Sequence, residues 1–148
     1  MRTGMLLGLA LCLTGIAQGD EAAAKKYLAE MAGTWKVVTM KKAGEEAPAE
    51  FSKEVTIVIK DNTMTLKIGK EDEKSATLVV DPTQKPVTLD MTPKDGPNAG
   101  KQMLGLVTLD KDILTICLTD DKEGKTRPKE LTSTKDNKNL LLVLKKPE

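Results

Sequence analysis

Apolar and polar residues alternate with a period of two along most of this chain. Val55, Ile57 and Ile59 alternate with Thr56, Val58 and Lys60, and Met64, Leu66 and Ile68 alternate with Thr63, Thr65 and Lys67. Between them stands the turn pair Asp61-Asn62. A two-residue loop sets Ile59 opposite Met64, Ile57 opposite Leu66 and Val55 opposite Ile68. All six apolar side chains then share one face, and a slip of one residue would turn one strand's set to the other side. Looping out Asp81 to Pro86 sets Val80 opposite Val87, Leu78 opposite Leu89 and Ala76 opposite Met91. A turn at Lys111-Asp112 pairs Leu109 with Leu114, Val107 with Ile116 and Gly105 with Leu118. Gly105 then faces inward without a side chain, leaving room for a neighbour or a ligand. Leu104, Leu106 and Cys117 make the other face of this hairpin partly apolar, so a covering element is expected there.

Trp35–Met40, a short run at Lys129–Ser133 and Leu140–Lys145 complete nine candidate strands joined by short connections. Parallel pairing would need long crossovers that the chain lacks. An antiparallel run of this length closes best into an up-and-down barrel of about 8–10 strands, its first and last strands paired so that no edge is left open. A two-sheet sandwich is the alternative. One helix is expected, over Asp20–Ala32, with Asp20 as its cap and Gly33 as its stop. Its Ala24, Tyr27, Leu28 and Met31 form a stripe suited to the base of a barrel.

The N-terminus reads differently. Arg2, the apolar run Met5–Ile16 and the small residues of Ala17-Gln18-Gly19 have the pattern of a secretory signal peptide, too short for a membrane span. Cys12 raises a lipoprotein reading, but Leu11 stands where lipoprotein processing wants a small residue. The expectation is residues 1–19 as signal peptide and 20–148 as one exported domain, periplasmic or secreted and monomeric. Without residues 1–19 the chain loses Arg2 alone and carries 22 basic against 22 acidic residues. Such a balance lacks the electrostatic footprint of a nucleic-acid binder, and no further stretch suits a membrane span. Cys117 alone remains of the two cysteines, so no intramolecular disulfide forms in the exported domain, and its place in an apolar strand reads as core.

Several motifs occur together and in order: Gly33-Thr34-Trp35-Lys36-Val37-Val38, Lys85-Pro86-Val87-Thr88-Leu89-Asp90, Gly96-Pro97 with Gly100-Lys101, Leu114-Thr115-Ile116-Cys117-Leu118, and Arg127-Pro128. As a set they resemble the planctomycete-type family of small exported domains, a family without an established activity, over essentially the whole exported chain. The resemblance implies a lipocalin-like (calycin-type) β-barrel and an envelope or secreted location. Gly33-x-Trp35 is also how lipocalin-like barrels open, which implies Trp35 packed at the closed end beneath a basic side chain. Arg127, the only arginine of the exported chain, is the candidate for that partner, with Lys145 second.

Candidate chemistry is thin. With no histidine, Ser/His/Asp and Cys/His systems and His-based metal sites are excluded. Gly96-Pro-Asn-Ala-Gly100-Lys101 is one residue short of a phosphate loop, and Gln102 stands where Ser or Thr would hold magnesium. Asp110, Asp112, Asp120, Asp121 and Glu123 lack the spacing of a calcium loop. Asp90 should point outward with Thr88 and Thr92, with no partner for acid–base work. No catalytic residue, metal or cofactor is therefore assigned. With so few aromatic residues, any pocket would be lined by aliphatic side chains and methionine. The candidate lining is Val37, Ile57, Met64, Leu66, Leu89, Met91, Met103, Gly105, Val107 and Ile116. A barrel of this size either fills with side chains or holds one small ligand. The expected function is non-enzymatic binding of a small hydrophobic molecule; the alternative is an envelope interaction module with a packed interior and a protein partner.

Overall fold

The computed structural model describes residues 18–148 apart from 71 and 122. The expected signal segment lies outside the described residues except for Gln18 and Gly19, which open the first helix. In order along the chain are α1 (Gln18–Met31), β1 (Gly33–Lys42), β2 (Glu45–Glu46), α2 (Ala49–Glu54), β3 (Val55–Lys60), β4 (Thr63–Ile68), β5 (Asp72–Asp81), β6 (Val87–Pro93), β7 (Met103–Asp110), β8 (Ile113–Leu118) and β9 (Leu140–Lys145). Every strand pairs antiparallel with its neighbour, and β1 pairs with both β3 and β9. Eight strands thus close into an antiparallel barrel, with β2 as a short ninth strand beside the end of β1.

The hairpins follow the alternation. Ile59 faces Met64, Ile57 faces Leu66 and Val55 faces Ile68. Leu109 faces Leu114, Val107 faces Ile116 and Gly105 faces Leu118. The middle hairpin is displaced by two residues: Val80 meets Leu89, Leu78 meets Met91 and Ala76 meets Pro93. Asp81 is the cause. Its carboxylate accepts the Thr83 amide at 3.0 Å and its carbonyl accepts the Gln84 amide at 3.3 Å. The turn is thereby fastened inside the expected loop while Asp81 still pairs with Thr88. A shift of two keeps every side chain on its face, so the inward set is unchanged.

Three elements depart from expectation. Lys129–Ser133 is not a strand, because β8 is already paired on both sides and β9 likewise, which leaves no edge for it to join. Ala49–Glu54 forms a short helix behind Pro48, whose carbonyl accepts the Ser52 amide at 3.1 Å. The first helix starts at Gln18, placing Asp20 within its first turn.

The turns 61–62 and 111–112 and the helix α1 lie at one end of the barrel, which α1 closes. Met31 is fully buried, and Ala24, Tyr27 and Leu28 pack against the same core, as the stripe implied. Trp35 locks this end: its indole Nε1 donates to the Met31 carbonyl at 2.8 Å. That satisfies one of the carbonyls a helix leaves free at its C-terminus. Gly33, between helix and strand, has φ +131°, a conformation that side chains rarely adopt. Lys146 lies over the indole, its ammonium 5.3 Å from the ring centroid. Trp35 therefore has a basic partner, but it is Lys146 and neither Arg127 nor Lys145.

Arg127 serves the opposite face of the sheet. Residues 119–121 and 123–139 cross as a strap over the outside of β7 and β8, covering Leu106 and Cys117. Arg127 Nη1 donates to the Gly105 carbonyl at 2.8 Å, and Nη2 lies 2.8 Å from Asp90 Oδ1. Asp90 does point outward, and here it finds the partner that no sequence pattern offered. The approach to Oδ1 is a charge contact and not an aligned hydrogen bond, and that buried oxygen accepts no other bond among the described residues. Cys117 donates its thiol toward the Glu130 and Thr132 carbonyls at 3.5 Å each, and burial pushes the thiol pKa up. The expected covering element is thus an irregular strap held by side chains.

Replacing Trp35 with Phe should leave the Met31 carbonyl unpaired and cost about 1–3 kcal/mol, read by urea denaturation. Arg127→Ala should free the strap, so that Cys117, nearly unreactive in the parent, alkylates roughly ten times faster at pH 8. An unchanged alkylation rate would show that the strap does not depend on Arg127.

Candidate functional site

The interior divides into two tiers. Toward α1 the inward side chains fill the barrel: Trp35, Ile57, Leu89, Val107, Leu114, Ile116 and Leu144 have no exposed surface. Gly105 belongs to this packed tier. A Cβ there would lie 2.5 Å from the Cys117 carbonyl oxygen and 2.7 Å from Leu118 Cδ2. The space that its missing side chain leaves is taken by Leu118, so a neighbour occupies it and no ligand does.

Toward the other end, where residues 69–70 and 94–102 and the start of the strap lie, the inward side chains remain partly exposed. Met40, Leu66, Ile68, Met91, Met103 and Leu140 form this upper tier. Met40 owes its inward place to a bulge in β1: Val37 faces Leu144 and Thr39 faces Val143, so Val38 is extra and points outward, 56% exposed. Without the bulge, alternation from Trp35 and Val37 would turn Met40 outward.

The mouth holds two adjoining depressions. One, of about 250 Å³, has a floor of Met64, Leu66, Ala76, Met91 and Pro93, with Lys74, Ser75 and Asp95–Asn98 around it. The other, of about 80 Å³, lies across Asn98 between Lys42, Lys101, Gln102, Met103 and Thr119–Asp121. The loop that separates them, which joins β6 to β7, is well fastened. Its Lys94 amide donates to the Ser75 carbonyl at 2.9 Å and its Gly100 amide to the Pro93 carbonyl at 2.8 Å. Asp95 Oδ2 accepts the Ser75 amide at 3.0 Å. At the rim, beside the start of β9, Lys42 pairs with Asp120 at 3.0 Å. Asp121 accepts the amides of Glu123, Lys125 and Thr126 at 3.0, 3.0 and 2.7 Å, and these bonds hold its carboxyl below the usual range.

Of the ten candidate lining residues, the structure gathers Met64, Leu66 and Met91 around one depression and places Met103 at its neighbour. Val37, Ile57, Leu89, Gly105, Val107 and Ile116 are buried filling below. Lys74 and Asp95 were not anticipated. Lys74 was within reach: it stands two residues before Ala76 on the same inward parity as Leu78 and Val80, once β5 is extended toward its start. Asp95 carries no such signal, because its role comes from a contact twenty residues away.

Larger hollows lie outside the barrel, one of them, of about 480 Å³, between α1 and Lys146. A second of about 640 Å³ runs along α1, between Ala24, Leu28, Ala29 and Ala32 and the Val79 side of β5. Another of about 400 Å³ lies within the strap, among Thr119, Arg127, Pro128, Thr132, Asn137 and Asn139. The polar groups of the strap hollow are largely spent on one another: Asn139 Nδ2 donates to the Thr132 carbonyl, and Asn137 bonds the Thr132 hydroxyl and the Thr134 amide.

Fold and mouth together define a closed, eight-stranded antiparallel barrel with a packed base and a shallow apolar opening. Neither a family model, nor a curated protein, nor a solved structure matches the chain.

The two tiers should respond differently to truncation. Leu89→Ala, in the filled tier, should cost about 2–5 kcal/mol, and Met91→Ala, in the partly exposed tier, about half that or less. Equal losses in urea denaturation would mean that the mouth is packed as tightly as the base.

Proposed function

We propose that this chain is an exported, non-enzymatic barrel that takes the apolar part of a small molecule into its mouth. The observation that carries this reading is the upper tier: methionine and leucine side chains that face inward yet stay partly exposed around a depression of about 250 Å³. Ligand sites usually span about 300–1,000 Å³, so this one suits a short chain or a single ring and leaves the polar end in water. Methionine is flexible and polarizable, which lets such a floor adapt to more than one shape. Export rests on the N-terminal apolar run, and membership of the planctomycete-type family rests on the motifs alone.

A second reading, an interaction module acting through its outside, has one feature in its favour. Val79 is 59% exposed beside the apolar hollow along α1. On the outer face of β7 and β8, Leu106 and Cys117 are closed by the strap, while Leu104 stays partly exposed.

Nile red, a neutral dye, separates the two. Titration should saturate at one site, and octanol should displace the dye. Met91→Glu should weaken binding at least about tenfold, while Val79→Glu leaves it unchanged. Trp35 emission should stay constant throughout, because the indole is buried at the far end. Loss of binding in Val79→Glu with retention in Met91→Glu would move the site to the α1 hollow. No binding by the folded protein would overturn the ligand reading.

A further inference from the structure

We propose that the mouth selects free amphiphiles with an anionic head, such as a carboxylate or sulfate on a short alkyl chain. This inference rests on the mouth-binding reading and adds the charge of the ligand to it.

The charged side chains that line the two depressions are Lys74 and Asp95 on one side of Asn98, and Lys42, Lys101, Asp120 and Asp121 on the other. Three positive and three negative groups would cancel if all were equally available. They are not. Asp120 is paired with Lys42, Asp95 accepts the Ser75 amide, and Asp121 accepts three backbone amides that also hold it ionised. Each carboxylate thus has at least one oxygen bonded to a donor of the protein. The ammonium groups of Lys74 and Lys101 have no ion-pair or hydrogen-bond partner among the described residues.

Position strengthens the point. Lys74 faces Leu66 across the β4–β5 ladder and lies on the inward parity of Ala76, so its stem borders the apolar floor. A lysine stem can cover apolar surface while its ammonium stays in water, placing a cation just above the opening. Asp72, the next inward position of β5, is exposed and lines neither depression. A molecule whose chain entered the floor would hold its head beside two uncommitted ammonium groups. A cationic head would meet carboxylates that already have donors, and would lose the lysine contacts besides.

Octanoate, octanol and octyltrimethylammonium share one chain and differ in charge, and each can compete against Nile red. Octanoate should displace the dye at a concentration about tenfold below that of octyltrimethylammonium, as two exposed charge contacts allow. The preference should disappear in Lys74→Gln/Lys101→Gln, and should shrink near 1 M salt, where the screening length is about 3 Å. Lys74→Glu, a single surface reversal, should turn the order toward the cation and guards against a folding defect in the double variant. Equal displacement by all three would overturn the charge selection while leaving mouth binding in place. No displacement by any of them, with the dye not bound either, would overturn both. Co-sedimentation with phosphatidylglycerol vesicles in the absence of octanoate binding would make these lysines a lipid-surface contact, and would overturn the proposal for a free ligand.

Discussion

Closure of the sheet through β1 is the constraint on which the rest of this molecule depends. One strand of ten residues serves two neighbours, β3 along its first part and β9 along its second. Backbone groups at a sheet edge must find partners or remain open to other chains, and a closed barrel removes the edge altogether. The bulge at Val38 is what lets a single strand do this, since it sharpens the local twist and re-aims the residues beyond it. Once the circuit is complete β8 and β9 are paired on both sides, so the chain between them cannot join either as a strand. The long connection between β8 and β9 accordingly lies over the barrel and meets its hydrogen-bonding needs through Asp121, Ser133, Asn137 and Asn139.

That strap explains where the chain spends the single arginine of its described residues. A guanidinium with several donors in a fixed fork suits a place where a backbone carbonyl and a carboxylate must both be met. Arg127 meets the Gly105 carbonyl and Asp90 together, joining the strap to β6 and β7. Trp35 needs no such fork. It needs a flat apolar site, one acceptor for its N–H and a cation over its ring, and Met31 and Lys146 provide the last two.

The same closure bears on function. Eight strands enclose a space that ordinary side chains can almost fill. Large aliphatic residues near α1 fill it, while Met91, Met103 and Leu66 toward the other rim leave a shallow opening. The mouth combines this soft floor with a loop fastened by Asp95 and with lysines that the fold does not use internally.

Local alternation by itself determined the eight barrel strands and two of three hairpin registers, though not β2 and not the irregular course of Lys129–Ser133, because a one-residue error would have exposed Val55, Ile57 and Ile59 or their partners. It also determined the helix stripe that closes the base, since 3.6-residue spacing puts Tyr27, Leu28 and Met31 on one side. The two-residue shift of β6, the inward turn of Met40 and the pairing of Arg127 with Asp90 were decided only in three dimensions. Each depends on a group distant in sequence or on a backbone irregularity that no periodic pattern encodes: the Asp81 turn, the Val38 bulge, and a strap brought back across the sheet. For the mouth, the sequence named which side chains face inward. How deep the filling reaches was settled by packing, because the shear of the closed sheet decides which inward residues stack beneath others and which reach the rim.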